Sequence, residues 1–297
     1  MYKTAAKYLL LTFAISISLF SCVPQKKVGS VKKQIAAVDS QLVIHSNHLK
    51  ELDAQRQKKQ DQNQIDDTAN ARIQKFINKT NAEIDTLINQ NTILIGEMVV
   101  NKEDWTRLLK TLSSSRLSSK KIGDKISFLS DLISRNMVVK IDQDVLFAPG
   151  KYTVDSAVAN AIEKLFEPAA KEISLFANKY PDFPLSLIIT AKGYADATLI
   201  SEGSSLYKQL KDRLKLTGTE PGAQEVNKEL SNARAQEVIG LFQKFSAGRS
   251  SDGSNLKKVS YMYEGKGDKF PDPKITDYKV DDPRRRVVLL FWSVFPE

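Results

Sequence analysis

"PLSLIITAKGYAD" spans residues 184–196. Apolar and β-branched residues fill it behind a proline, and it ends on a glycine and an acid. That grammar reads as a strand that stops at a loop. On its N-terminal side, "DSAVANAIEKLFEPAAKEISLFANKY" (155–180) reads as a long amphipathic helix with Val158, Ile162, Leu165, Ile173 and Phe176 inward. Before that, "MVVKIDQDVLF" (137–147) reads as extended and "APGKY" (148–152) as a turn. On the C-terminal side a second helix covers about 222–246, with Val238, Leu241, Phe242 and Phe245 inward. "KKVSYMYEGKG" (257–267) and "RRRVVLLFWSV" (284–294) read as strands. Strands alternating with helices imply a sheet with helices packed on a face.

Upstream the period changes from two to seven. Val28, Val31, Ile35, Val38, Leu42, His45, Leu49 and Leu52 alternate three and four apart, the a/d stripe of a coiled coil. Residues 53–72 nearly lose the stripe, as a solvated length of helix or as a hinge between two helices. It returns at Ile73, Ile77, Ile84 and Leu87 or Ile88. A third periodic segment holds Leu108, Leu109, Leu112, Ile122, Ile126, Leu129 and Ile133, with the Ser-rich run 113–121 interrupting it. The stripe needs a partner helix. Self-association, the 73–133 segments folded back, or an envelope protein would supply one. The chain therefore reads as α+β, a helical coiled-coil stalk over 22–136 followed by a sheet sandwich over 137–297, with helices on one face of a mixed sheet.

The N-terminus reads as a targeting segment. Lys3 and Lys7 precede the uncharged run "YLLLTFAISISLF", which is shorter than a comfortable membrane span. The only cysteine, Cys22, ends that run. Leu19-Phe20-Ser21-Cys22 resembles the lipobox of bacterial lipoproteins. The resemblance implies a signal peptide over 1–21, lipid on Cys22, and a place in the outer membrane facing the periplasm. Simple secretion and an uncleaved anchor are the rival readings. Loss of Lys3 and Lys7 takes the net charge from +9 to +7. Outside the cytoplasm such a basic chain meets anionic wall polymers and lipid headgroups rather than nucleic acid.

Five motifs in the C-terminal part occur in a recognisable order. They are Leu146-Phe147 with Gly150; Gly193-Tyr194-Ala195-Asp196; Asn227, Leu230, Ser231, Arg234 and Ala235; Gly265, Gly267 and Pro271; and Arg285-Arg286 before Val287. Together they resemble the OmpA-like peptidoglycan-binding domain, as it occurs in Pal lipoproteins, over about 137–297. The resemblance implies non-covalent binding of the diaminopimelate of the peptidoglycan stem peptide, and a protein that tethers the envelope to the wall. Site residues carried over are Asp196, Arg234, Asn227 and Arg285, the last at the pocket mouth. The chain departs from the pattern at Ala148, Ala195 and Arg284. It also has thirty residues, 197–226, where the family has a short loop. The segment 199–222 within them reads as an added surface helix.

The residue types allow that chemistry independently. Asn227, Ser231 and Arg234 fall on one helix face. An Arg and an Asp converging on one pocket can hold an amino-acid zwitterion, the guanidinium taking the carboxylate and the carboxylate the ammonium. The plainer alternative is a salt bridge between Asp196 and Arg234. Both histidines, His45 and His48, lie in the stalk, and residues 137–297 hold neither His nor Cys. That excludes Ser-His and Cys-His catalysis and His-based zinc sites there. No catalytic residue, metal or cofactor is expected. The competing non-enzymatic reading is a coiled-coil adaptor of an envelope machine whose wall binding is altered or lost.

Overall fold

The computed structural model describes residues 24–99, 101–216, 219–247 and 255–296. Residues 1–21, read as a signal peptide, and Cys22 lie outside them. Among the described residues there are seven helices and four strands: α1 (Gln25–Asp61), α2 (Asp67–Gly96), α3 (Lys102–Ser134), β1 (Val138–Asp142), α4 (Gln143–Leu146), α5 (Ser156–Lys179), β2 (Leu185–Gly193), α6 (Ser205–Leu214), α7 (Ala223–Ala247), β3 (Leu256–Gly265) and β4 (Val287–Pro296). The fold is α+β with a mixed, open sheet. No described helix is long and apolar enough to cross a membrane. The chain forms two compact units. Of the described residues, one unit holds those up to Asp53 with Lys75–Ser130, and the other holds Ala54–Gln74 with those from Asp131 onward. A linear boundary near 136 therefore does not separate them.

In the first unit the α1 stripe is buried, from Val28 through Ile35, Leu42 and Leu49 to Leu52. Its partner is in the same chain: Val28, Val31 and Ile35 form one core cluster with Val99, Leu108 and Leu112. Helix α3 runs unbroken through the Ser-rich run. There the inward residues are Ser115 and Ser119, both buried. They leave room for a polar layer. Asn91 Nδ2 donates to Asp39 (2.6 Å), and Ser115 Oγ donates to Asn91 Oδ1 (2.6 Å). Three helices thus share one hydrogen-bonded layer in the seam, a device that fixes register at some cost in stability.

His45 occupies the one stripe position that is polar. Its ring lies against Gly123 of α3, where an added Cβ would sit 3.5 Å from it, and its Nε2 is buried without a partner. Burial, then the charge of His48, pushes its pKa below the ordinary value. The folded unit therefore takes up a proton less readily than the unfolded chain. Stability conferred by neutral His45 is lost as pH falls below about 6.5. His45→Leu is expected to raise the melting temperature of this unit by a few degrees and to flatten its decline between pH 7 and 5. Thermal unfolding followed by circular dichroism checks both.

In the second unit the sheet order is β1-β4-β2-β3. Strand β4 runs antiparallel to both β1 and β2, and β3 runs parallel to β2. Every residue of β2 and of Val287–Phe295 is buried, so both faces of the central pair are covered. Helices on one face only is thereby corrected. An uninterrupted apolar run such as "VVLLFWSVF" needs cover on both sides. Helix α7 covers the face of Gly193. Residues 54–74 meet the other. There Asp67 pairs with the buried Lys192 (2.9 Å), and the Arg72 guanidinium lies over the Phe295 ring (5.7 Å). Residues 53–72 contain a hinge: Asn63 takes a left-handed φ of 53°, and Asp66 caps α2 by accepting from Thr68 N and Ala69 N.

Two local readings change. Residues 143–146, expected as extended, form one helical turn, because Asp142 accepts from Asp144 N and Phe147 N closes on Gln143 O. Leu165, expected inward, is exposed, and Phe166 takes the core position beside Phe242.

Candidate functional site

The five motifs meet at one end of the sheet. Strand ends are tied there by main-chain bonds: Tyr194 N to Val287 O (2.9 Å), Gln143 N to Arg286 O (3.0 Å), Lys266 N to Gly193 O and Ala195 N to Gly267 O (both 2.8 Å). Helix α7 lies directly on this end. A Cβ at Gly193 would sit 2.0 Å from Ser231 O, and one at Gly265 2.3 Å from Lys228 O. Only glycine permits so close an approach of helix backbone to strand. Ser231 then uses its Oγ to accept from Gly267 N (2.9 Å), while Gly267 turns with a φ of 61°. The spacing of Asn227, Ser231 and Arg234 is thus the spacing of three successive contacts along one helix face.

Arg234 is buried, 8% exposed. Its Nη1 donates to Gln143 Oε1 (2.6 Å), and its Nε and Nη2 donate to Lys151 O (3.2 and 3.0 Å). Its guanidinium lies 5.2 Å from the centre of the Phe147 ring. Among the described residues no carboxylate comes within ion-pair distance of it. Burial pushes its pKa down to about 10, against the pull of the Asp144 and Asp196 charges. It remains a cation at neutral pH with neutral contacts.

Asp196 pairs with Arg286 Nη1 (3.0 Å) and not with Arg234. The simple Asp196–Arg234 salt bridge is absent. Asp196 also accepts from Thr198 N (3.1 Å), which shapes the loop that follows. Arg286 turns its other nitrogens to Asp144 (2.7 Å), so one guanidinium spans two carboxylates. Hydrogen bonding to Asp144, above all, raises its pKa. Asn227 is buried and donates to Thr198 O (3.3 Å), bracing the same loop.

Arg285 is not at the mouth of this cluster. It is buried, donates to Lys279 O and Asp268 O, and lies over Phe270 (5.1 Å). Arg285 is the last residue of the 3₁₀ turn Pro283–Arg285, and Arg286 follows it as a non-helical cap with φ −84° and ψ 75°, so the chain changes direction between the two side chains. Arg285 therefore holds the 268–279 loop while Arg286 enters the cluster. Gln143, Asp144 and the Lys151 carbonyl were not read from the sequence as site groups. Gln143 is central: its Nε2 donates to Tyr194 O (2.7 Å) and Val287 O (2.9 Å), which orients its oxygen at Arg234. The available signal was a glutamine and an aspartate just before the Leu-Phe pair, hidden by the expectation of extended chain.

The helix of the insertion packs against α7. In α6, Tyr207 and Leu210 pack on Val226 and Leu230 of α7. Arg213 reaches Glu229 (2.7 Å) and Gln236 (2.9 Å). No protein-family model matches the chain, and neither does any curated protein.

Proposed function

We propose that the chain is an outer-membrane lipoprotein, anchored through lipid on Cys22, whose sheet unit is OmpA-like and binds peptidoglycan non-covalently through the diaminopimelate of the stem peptide. In this reading it tethers the envelope to the wall, with the helical unit as the stalk region in the sequence between anchor and binding unit. The observation that carries it is Arg234. A buried guanidinium with only neutral partners is an electrostatic deficit that a ligand carboxylate fills. Asp196 and Asp144 supply the negative charge for the ligand ammonium, with Arg286 as the group it displaces or shares.

One feature favours the adaptor alternative, an envelope scaffold with altered wall binding: Arg286 already occupies Asp196. Co-sedimentation of the chain from residue 23 onward with purified peptidoglycan separates the two. The whole of this chain is used because residues 54–74 pack on the sheet. The expected result is protein in the pellet, released by free stem tripeptide containing diaminopimelate. Protein that stays in the supernatant at low salt overturns wall binding and leaves the adaptor.

A further inference from the structure

A groove of about 480 Å³ lies in the sheet unit beside the Arg234 cluster, between α7, strand β3, α6 and the loop carrying Tyr152. Gly240, in the interior of α7, lines it. Interior glycine is unfavourable in a helix. At Gly193 and Gly265 contact with backbone requires it. At Gly240 a Cβ would meet nothing within 4 Å, and its φ is not positive. Neither packing nor backbone conformation calls for glycine there, so what it preserves is the open space above α7.

The walls indicate what fills that space. Tyr152, Tyr261 and Tyr263 line the groove with the carboxamides of Gln236 and Gln243. Tyr263 is 44% exposed. The cation among the described lining residues, Arg213, is held by Glu229 (2.7 Å) and lies over the Tyr152 ring (5.4 Å). Glu237 accepts from Val154 N (3.2 Å). Charge is thus spent within the protein. With Tyr152 covered by Arg213 and Gln236 bonded to it, the groove offers the aromatic side chains of Tyr261 and Tyr263 and the carboxamide of Gln243, which suit a neutral ring with apolar C–H faces, hydroxyls and acetamido groups better than a phosphate or an acidic peptide.

We propose that this groove is a glycan subsite that takes an N-acetylated amino-sugar backbone. The inference rests on the wall-binding reading. The groove adjoins the Arg234 cluster: Ala233 lines it one residue away on α7, and Tyr152 follows Lys151, whose carbonyl holds Arg234. A polymer that presents sugars and stem peptides together can reach both places.

The test is titration of the chain from residue 23 with the tetramer of N-acetylglucosamine, which carries no peptide, and separately with stem tripeptide, which carries no sugar. Tetramer binding is expected at millimolar concentration or below. Gly240→Leu, which fills the floor, is expected to weaken it at least about tenfold without lowering the melting temperature. Tyr263→Ala is expected to weaken it similarly, at an exposed position that does not threaten folding. Absence of tetramer binding by the parent chain, or undiminished binding by both variants, overturns the glycan subsite. Tripeptide binding without tetramer binding overturns this inference alone. Tetramer binding without tripeptide binding supports the subsite and overturns the Arg234 reading alone.

Discussion

Arg234→Met is expected to abolish co-sedimentation with peptidoglycan. Removing one partner of a desolvated charge pair costs about 2–5 kcal/mol, or roughly thirty- to several-thousand-fold in affinity. The same change leaves Gln143 Oε1 and Lys151 O without their donor. Gln143 is buried, and an unsatisfied buried acceptor costs about 1–3 kcal/mol, so the melting temperature falls as well. Arg234→Lys separates the effects. It keeps a cation but loses the planar fork that grips a carboxylate, and binding is expected to drop while most of the charge remains. Asp196→Asn leaves Arg286 paired with Asp144, so stability changes little and only the ammonium side of the grip is lost. Normal sedimentation by folded Arg234→Met would mean that the guanidinium is a structural strut and the wall is held elsewhere.

Gly193→Ala is expected to unseat α7. The new methyl would lie 2.0 Å from Ser231 O and 2.9 Å from Ser231 C, both backbone atoms that no rotamer change can move. Helix and strand must separate, taking with them the bond from Gly267 N to Ser231 Oγ. Overpacking against backbone costs about 3 kcal/mol or more. At about 2–4 °C per kcal/mol for a unit of this size, the sheet unit is expected to melt roughly 10 °C lower. Gly265→Ala, 2.3 Å from Lys228 O, is expected to do the same. Gly240→Ala is the control: with open space at its Cβ it gains helix propensity and is expected to hold or raise the melting temperature. Thermal unfolding of the three variants in parallel decides the point. A Gly193→Ala protein that melts with the parent would sink the account of the motif spacing.

Periodicity carried much of the fold. The stripe from Val28 to Leu52 was marked for burial by its spacing, and its seven apolar members, Val28, Val31, Ile35, Val38, Leu42, Leu49 and Leu52, are buried while Val43 and Ile44 beside them are exposed. The terminal run from Val287 was long enough for a strand and too short for a membrane helix. These features are local, set by the chain's own repeat. Asp196, Asn227 and Arg234 were likewise visible as residue types at fixed spacing on a strand end and a helix face.

What the sequence alone left open is what depends on neighbours distant along the chain. The α1 stripe called for a partner, and only the packed structure assigns it to α2 and α3, because one helix face cannot name its complement. The Ser-rich run looked like a break, yet small side chains are what a crowded three-helix layer accepts, and Asn91 supplies the hydrogen bond of Ser115. The second face of the sheet is covered by residues 54–74, whose weak periodicity hid that Asp67 and Arg72 meet Lys192 and Phe295. Which of two adjacent arginines reaches Asp196 was settled by where the 3₁₀ turn ends: Arg285 is its last residue, and Arg286 is the first outside it. Arg234 was legible as a charge, but its lack of a carboxylate partner is a property of three dimensions: Asp196, the nearest candidate by motif, is taken by Arg286.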